Sequence, residues 1–577
     1  MLRAFYERVG VNRRVFAAVV VSALLIVAAR TIAPFEVGKD QASQLEAAQR
    51  LSRGLGLTTT NDVPPSAGFD ITEAPRSRYL TWWPPGLSIL VAGFLFLGLP
   101  LLVSLKLIYA AVTLAGWCGW GVAAGHLLAQ PLKVGSREYP VNLLIAALMP
   151  VFCTPSWDGT DIFLWAGVPF VALLLFTSAF RPSPWRSVAL AGLLFGCLYA
   201  IRYASVFVAP AAILILLQVS LPDAKAFLKR SAVFLVFSLL VILPVVAYTR
   251  TYAQSAFGGH HLDNPIQNAY YFSKHAYVVI NLLPVTSNAI VGHPVVEQVV
   301  RHTLHVPWLI YATGAVCLLI ILSLPIFLAR SSPPDARPPR ADFALSLSFL
   351  PLSLVAIFVV IVYGNMLGVR RYYEPVALCG LFIFYAIAAA RPARRWVKAG
   401  ATMIVASFVL YVCAYMPALA FVPGRRSHLV STVLSYMPPN SRRYPSTSHD
   451  VSYPGYQMFS CKESSRQRIR RLHDAHPGAL FFVEEYGYFN YDEFQGDGPV
   501  RGDDLRVFPH KIFWKLAYTS KPVKIFWIVN RETELDFIPP AYAQAVSSDE
   551  VEDTKIIMSD LPAGYKFSGQ LASSGAQ

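Results

Sequence analysis

The stretch VFAAVVVSALLIVAARTIA, residues 15–33, is long and apolar enough to cross a membrane, and the acidic residue of Lys39-Asp40-Gln41 follows it closely. About fifty mostly polar residues then precede the next apolar run, although connections between helices are usually short and long ones tend to be functional. An acid at the bilayer edge, followed by a helix along the membrane surface, is the arrangement expected for chemistry on a lipid-borne substrate.

The composition is that of a membrane protein. The chain has 577 residues, of which 55% are hydrophobic and only 14% are charged, and its mean hydropathy is +0.46. The net charge of +15 is explained by Lys and Arg in cytoplasmic loops rather than by nucleic-acid binding. Arginines before the first run give it the look of a signal peptide, but no small-residue cleavage site follows, so the run is predicted to stay as an anchor.

Long uncharged runs predict about eleven membrane-spanning helices, since about 20 apolar residues are needed to cross the hydrocarbon core. The runs lie at residues 15–33, 101–128, 138–155, 161–180, 187–201, 204–220, 231–249, 306–329, 342–363, 375–390 and 397–421. The segment 86–99, between Pro84-Pro85 and Pro100, is too short and is predicted to be re-entrant or interfacial. If it does not cross, the basic loop clusters all share the N-terminal side, as cytoplasmic loops do.

The predicted fold is an α-helical polytopic membrane protein with a C-terminal soluble α/β domain. Residues 1–14 are assigned to a cytoplasmic N-terminus, 15–421 to the transmembrane domain and 422–577 to the extracytoplasmic domain. Two extracytoplasmic loops, 34–100 and 250–305, interrupt the transmembrane part. In the C-terminal domain, apolar runs at residues 479–483 and 523–529 predict buried strands. The polar, amphipathic run at residues 464–473 predicts a helix. The composition is typical of a bacterium, and the predicted location is its inner membrane.

Asp40 is the first candidate for chemistry. The segment after it, residues 41–56, places its apolar positions on one helical face, and Gly54 and Gly56 are expected to end that helix. The dipole of such a helix would keep the Asp40 carboxylate ionised. An equally good interpretation from position alone is that Asp40 is a helix N-cap.

Asp158 and Asp161 form an acidic turn on the same predicted side of the membrane. Either could position an acceptor hydroxyl or bind a cation. The alternative is that one of them caps the helix that follows.

Basic residues at outer helix ends are the candidates for binding phosphate. The charge rule disfavours arginine on this side, so each calls for a ligand or partner, and a phosphate fits the bidentate guanidinium. These candidates are Arg202, Arg370 and Arg371, with the adjacent Tyr372. Alternatively, the arginines snorkel or pair with Glu374 or a lipid headgroup.

Four further side chains are candidates for contact with a sugar. They are Trp82 and Trp83 in the first loop and His260 and His261 in the second. Tryptophan at this depth is commonly an interfacial anchor, and loop histidines are usually just solvated.

The order of these features resembles the GT-C superfamily of membrane glycosyltransferases. The most similar members are polyprenyl-phosphate-sugar enzymes, such as protein O-mannosyltransferases, lipid A aminoarabinose transferases and galacturonosyltransferases of the lipopolysaccharide core. The resemblance covers roughly residues 12–420. Its motifs are Asp40 with the helix after it, Trp83-Pro84-Pro85-Gly86, the acidic turn, GLLFG at residues 192–196 before Ile201-Arg202-Tyr203, and Arg371-Tyr372-Tyr373-Glu374-Pro375.

This resemblance implies an inverting glycosyltransferase in which Asp40 acts as base on the acceptor hydroxyl, or orients it, and Arg202, Arg370 and Arg371 bind the lipid phosphate. The donor would be a polyprenyl-phosphate sugar, and the acceptor a glycan, a lipid or a protein on the extracytoplasmic side. The family commonly shows two adjacent acids in the first loop, whereas Gln41 follows Asp40 here. This departure puts the use of a divalent metal in doubt, and no other cofactor is implied.

Two other classes of protein also place many apolar runs in one chain or anchor a soluble domain in a membrane. A transporter or flippase of lipid-linked sugars is expected to carry charges at mid-bilayer depth, whereas the charges here cluster at helix ends. A membrane-anchored envelope assembly protein would need far fewer than about eleven spans. The sequence therefore favours the enzyme.

Overall fold

The computed structural model describes residues 11–32, 39–59, 69–73, 78–127, 143–144, 146–150, 154–155, 157, 159–178, 183–220, 223–253, 463–484, 505–508, 517–530, 540–547 and 554–567. The chain divides into two compact units. The first contains the described residues within 1–35, 81–86 and 106–445, and the second those within 36–80, 87–105 and 446–577.

The elements are numbered in chain order. The N-terminal part forms α1 (Arg13–Ile32), α2 (Lys39–Ser52), β1 (Thr58–Thr59), β2 (Phe69–Asp70), β3 (Arg78–Tyr79), α3 (Gly86–Phe96), α4 (Leu101–Leu127), α5 (Asp161–Thr177), α6 (Pro184–Ile201), a 3-10 segment (Tyr203–Val208), α7 (Ala209–Ser220) and α8 (Ala224–Ala253). The C-terminal part forms α9 (Glu463–Ala475), β4 (Leu480–Glu484), β5 (Leu505–Phe508), β6 (Ala517–Tyr518), β7 (Val523–Asn530), β8 (Ala543–Ser547) and β9 (Thr554–Leu561).

Four helices of the described part are long and apolar enough to cross a membrane, namely α1, α4, α6 and α8. Each coincides with one of the predicted runs. The run predicted at 161–180 forms α5, which has 17 residues and is buried along most of its length. The run predicted at 204–220 divides into the 3-10 segment and α7, because Arg202 adopts an extended conformation that ends α6. The four runs predicted after residue 300 lie outside the described residues.

The short apolar segment before Pro100 is a helix of 11 residues, α3. At 1.5 Å per residue it is about 16 Å long, which is roughly half the thickness of the hydrocarbon core. It ends where Gly98 takes a φ of 80° and Leu99 N–H donates to the Phe94 carbonyl at 3.2 Å, a Schellman motif. The helix is therefore short for a membrane span, and the non-crossing topology of this segment stays a prediction.

The GLLFG stretch of α6 is a site of close helix packing. A Cβ atom on Gly192 or Gly196 would collide with the backbone carbonyl of Phe234 or Ser238 in α8. Small residues four apart allow two membrane helices to approach closely, which explains both glycines. The motif thus fixes α6 against α8, and Arg202 lies directly after the C-terminal end of α6.

Helix α2 begins with Lys39 and Asp40 and ends as the sequence predicts. Gly54 has a φ of 79°, and Leu55 N–H donates to the Arg50 carbonyl at 2.8 Å, again a Schellman motif. The position of α2 along the membrane surface stays a prediction. Polar side chains of α2 are buried along with apolar ones: Gln41, Gln44 and Glu46 are at most 6% exposed. The amphipathic pattern of this segment therefore predicts the helix, but it does not predict which of its side chains are buried.

The C-terminal residues build a five-stranded sheet with strand order β5-β4-β7-β9-β8. Strand β4 is parallel to β5 and β7, while β9 is antiparallel to β7 and β8. Helix α9 covers one face, where Ile469 packs with Phe481 and Phe526. The predicted strands at 479–483 and 523–529 correspond to β4 and β7, and the predicted helix to α9.

One segment of the first loop belongs to the other face of this sheet. Strand β2 pairs in parallel with β6, with Phe69 opposite Ala517 and Asp70 opposite Tyr518. Ile71, which is 2% exposed, lies in the apolar cluster that also contains Phe482 and Trp527. The second unit therefore joins the first loop to the C-terminal sheet.

Replacement of Gly86 by Ala tests the packing at the start of α3. A Cβ at Gly86 would lie 2.5 Å from the Ala200 carbonyl oxygen, so Gly86→Ala should lower stability by about 1–3 kcal/mol. Gly93→Ala in the same helix meets no atom within 4 Å and should be neutral or stabilising by up to about 1 kcal/mol. Thermal unfolding of the two purified variants checks this, and equal shifts would contradict the packing described.

The carboxylate of Asp70 gives a pH-dependent contribution to stability. Burial raises its pKa, but hydrogen bonds from Ser520 and Thr72 outweigh this and hold the pKa of Asp70 below its ordinary value of 3.8. The contribution is therefore complete above that value and is lost as the pH falls through the lowered pKa. Asp70→Ala should unfold at a lower temperature than the wild type near neutral pH, with a difference that shrinks below about pH 4.

The control for this prediction is Asp474→Ala, since the Asp474 side chain is 73% exposed on α9. It should show no comparable pH-dependent difference in unfolding temperature. A difference between Asp70→Ala and wild type that stayed constant from neutral to acidic pH would rule out the linkage.

Candidate active site

The first unit brings together two residues that the sequence marked separately. Arg202 Nε lies 2.8 Å from Asp161 Oδ1, and each side chain is only 12% exposed. Arg202 Nη1 also donates to Thr160 Oγ1 at 2.9 Å. The phosphate candidate and one of the acid candidates are therefore a buried ion pair, with the guanidinium held from two sides.

The local backbone explains how Arg202 reaches this partner. Its φ of −151° and ψ of 117° interrupt the helical path between α6 and the 3-10 segment, so the side chain leaves the helix axis. Asp161 is the first residue of α5, where a carboxylate is favoured by the helix dipole. The N-cap of α5 is Thr160, so Asp161 is not the cap, and its role toward an acceptor or a cation stays a prediction.

Helix α4 holds the acidic turn through three polar side chains that recur every four residues. Tyr109 Oη donates to the Gly159 carbonyl, and Trp117 Nε1 to Thr154 Oγ1, each at 3.0 Å. Trp157 Nε1 donates to Thr113 Oγ1, also at 3.0 Å. Spacing by four places Tyr109, Thr113 and Trp117 on one helix face, which makes a polar stripe that fixes the turn.

Arg30 is a functional candidate that the sequence reasoning missed. It lies near the end of α1, is 8% exposed, and donates to the backbone carbonyls of Pro155 and Thr154. Its guanidinium carbon is also 5.9 Å from the centroid of the Trp157 ring, within range of a cation–π interaction. The signal was present in the sequence, because an arginine in the last turn of an apolar run is as disfavoured as Arg202.

A lysine adds to the positive charge at this end of the first unit. Lys106 Nζ donates to the Thr31 carbonyl at 2.7 Å, next to Arg30 in the chain. Cations are favoured near the C-terminal end of a helix, here α1. Among the described residues, Arg30 and Lys106 thus lie together at the C-terminal end of α1, and Arg202 lies beside Asp161 at the start of α5.

The Trp83-Pro84-Pro85-Gly86 motif approaches the C-terminal end of α6. Pro84 and Pro85 are buried, and Gly86 touches the carbonyl of Ala200, two residues before Arg202. Trp82 is 39% exposed and Trp83 is half-buried. The two sugar-contact candidates of the first loop therefore precede a fixed contact with the end of α6.

Asp40 is the second residue of α2, in the second unit. Its position in the first turn is the one that the sequence predicts, while the orientation of its side chain lies outside what the structure describes. The body of α2 is held by its neighbours. Ser88 Oγ donates to the Gln44 carbonyl at 2.8 Å, Thr59 Oγ1 donates to Glu46, and Arg50 Nε donates to Thr58 Oγ1 at 2.8 Å.

The other predicted site residues lie outside the described part of the chain. They are Asp158, His260, His261, Arg370, Arg371 and Tyr372. Within the described residues, no group of three or more His, Cys, Asp or Glu side chains could hold a metal ion. The use of a divalent metal, which the Gln41 that follows Asp40 puts in doubt, stays untested.

No protein-family model and no curated protein matches the chain. Among solved structures, it is similar to arabinofuranosyltransferase AftD from Mycobacteria, over 95% of this chain and 41% of that one, with 13% identity and a TM-score of 0.42. It is also similar to oligosaccharyltransferase AglB from Archaeoglobus fulgidus, solved with an inhibitory peptide and a dolichol-phosphate, over 86% of this chain and 65% of that one, with 13% identity and a TM-score of 0.36.

The chain thus spans less than two thirds of the length of either protein. Both are glycosyltransferases by name, the class that the sequence motifs resemble. Because both TM-scores lie below 0.5, the two similarities assign this chain neither a substrate nor a mechanism.

Proposed function

We propose that the protein is an inverting glycosyltransferase that moves a sugar from a polyprenyl-phosphate carrier to an acceptor on the extracytoplasmic side of the membrane. The observation that carries this proposal is that two arginines at helix ends, Arg30 and Arg202, contact the segment 154–161, and that Lys106 contacts the end of α1 next to Arg30. A lipid phosphate has the charge, and the place at the edge of the bilayer, that such a site fits.

The reaction follows from the chemistry of the two ends of the donor. The acceptor hydroxyl attacks the anomeric carbon, the bond from that carbon to the phosphate oxygen breaks, and the polyprenyl phosphate leaves with the bonding electrons. Asp40 takes the hydroxyl proton, which is the role of a general base. The arginines stabilise the charge that grows on the phosphate, and Arg370 and Arg371 are proposed to add to them.

The other predicted residues have supporting roles. The sugar is proposed to contact Trp82, Trp83, His260 and His261. The acceptor hydroxyl is proposed to be positioned by Asp158 or Asp161. The acceptor is a glycan, a lipid or a protein. No metal is required by this scheme, because the carboxylate moves the proton and the guanidinium groups offset the phosphate charge.

The distribution of charge favours this reaction over transport. In α1, α4, α6 and α8, every Asp, Glu, Lys and Arg lies within seven residues of a helix end. Transporters of charged substrates place ionisable groups near the bilayer midplane. The described helices are instead charged where a lipid headgroup would lie.

Replacement of Asp40 by Asn tests the proposed base. A positioned base contributes about 10²–10⁴-fold to the rate, so Asp40→Asn should lower turnover by that factor. The measurement is release of polyprenyl phosphate by purified protein incubated with polyprenyl-phosphate sugars. Asp474→Asn removes an exposed carboxylate and should turn over like the wild type. Full turnover by Asp40→Asn would remove Asp40 from the mechanism.

A double-mutant cycle separates the two roles of Arg202. Arg202→Gln or Asp161→Asn alone removes one partner of this largely buried ion pair and should cost up to about 3–5 kcal/mol of stability, whereas the double variant should recover most of it. If Arg202 also binds the donor phosphate, the apparent donor affinity stays low in the double variant. Recovery of both stability and donor affinity would make Arg202 a structural residue only.

A further inference from the structure

A segment of the first loop is built into the C-terminal sheet domain by backbone pairing. Strand β2 runs parallel to β6, and Ile71 N–H continues the pairing by donating to the Tyr518 carbonyl at 2.9 Å. Thr519 and Phe567, on the partner side, are themselves buried. Residues from distant parts of the sequence therefore share one two-stranded sheet.

The side chain of Ile71 completes an apolar cluster of the C-terminal domain. It is 2% exposed and lies among residues that all come from that domain. Those residues are Leu480, Phe482, Ala517, Ile525, Trp527, Ile557, Leu561 and Phe567. A loop residue that fills the core of another segment forms part of its fold, rather than a passing surface contact.

Polar contacts fix the register of this junction. Asp70 Oδ1 accepts hydrogen bonds from Thr72 N–H at 2.9 Å, from Thr72 Oγ1 at 2.7 Å and from Ser520 N–H at 3.1 Å. Thr72 Oγ1 and Ser520 Oγ are 3.0 Å apart. One carboxylate oxygen thus gathers donors from both segments, which specifies how they align.

The other end of the same loop segment is fixed to the helix that carries Asp40. Strands β1 and β3 pair antiparallel, and Leu80 N–H donates to the Leu57 carbonyl at 2.9 Å. Thr58 and Thr59 of β1 are bonded to the Arg50 and Glu46 side chains of α2. Residues 59 and 78, which flank this part of the loop, are therefore paired with each other, and β1 is bonded to α2. Ile71, between them in sequence, lies in the apolar cluster of the C-terminal domain.

We propose that the C-terminal domain positions the helix that carries Asp40, by binding residues 69–72 of the first loop as part of its own fold. The partner of this surface is the chain's own loop, and Asp70 and Ile71 are positioning residues. The effect on catalysis rests on the proposed function, whereas the docking itself does not. The docking and its effect on catalysis are therefore tested by separate experiments.

The docking is tested by disulfide formation in the full-length chain in membranes, with Cys461 replaced by Ser. Thr72→Cys combined with Ser520→Cys should form an intramolecular disulfide under mild oxidation, seen as a mobility shift that a reductant reverses. The matched control is Thr72→Cys with Asp474→Cys, because α9 covers the opposite face of the sheet. Failure of the first pair to link, or equal linking by both pairs, overturns the proposal.

The positioning role is tested by Ile71→Asp, which puts a charge into the apolar cluster. It should lower kcat at least about tenfold and leave the donor KM nearly unchanged, because the phosphate-binding residues are untouched. Leu55→Asp, at a side chain of the same loop that is 53% exposed, should have little effect on kcat. Oxidation of Ile71→Asp combined with the Thr72→Cys and Ser520→Cys pair should restore kcat, since the disulfide holds the loop in place.

The outcomes are separable. If the disulfide forms but no variant or wild type releases polyprenyl phosphate, the proposed function fails and the docking stands. If the disulfide forms and Ile71→Asp keeps the wild-type kcat, the positioning role is overturned. A parallel loss of kcat and donor affinity in Ile71→Asp that the disulfide does not restore also overturns it, because it indicates general unfolding.

Discussion

A charge buried beside a membrane must find an opposite charge or a carbonyl group, and the first unit is arranged around that constraint. Arg202 is paired with Asp161, and Arg30 with the carbonyls of Thr154 and Pro155. Two unit charges about 4 Å apart interact by about 4 kcal/mol at an effective dielectric of 20, which is similar to the cost of removing such groups from water. The pair therefore adds little net stability, but any other arrangement is strongly unfavourable, so it specifies where the acidic turn lies.

The same constraint explains which features of the fold could be predicted from the sequence. Some features depend only on residues close together in the sequence and can be recognised there. They are the apolar runs of α1, α4, α6 and α8 and the glycines that end α2 and α3. The ion pair is not visible in this way, because Asp161 and Arg202 each had a plausible local role. Arg30 was overlooked because it lies inside the run that defines the first span, where composition conceals a single charge.

The pairing of β2 with β6 is the feature that sequence reasoning had the least chance of finding. Each strand has two residues, which is too short for any alternating pattern to be recognised. Its stability comes from Ile71 and Asp70, and neither is unusual in a polar loop until its partners are known. The likeness to glycosyltransferases in motif order could not supply it either, because that likeness ends before the C-terminal domain begins.

The two strands of this junction are far apart in the sequence, so they can pair only late in synthesis of the chain. Thr72 and Ser520 are 448 positions apart, so the loop leaves the ribosome long before its partner exists. At about 5–20 residues per second, the delay is roughly 20–90 s. Throughout that interval the helix carrying Asp40 lacks the support of the C-terminal sheet. A chain with this architecture acquires its finished first loop only at the end of its own synthesis, after the intervening membrane segments have been made.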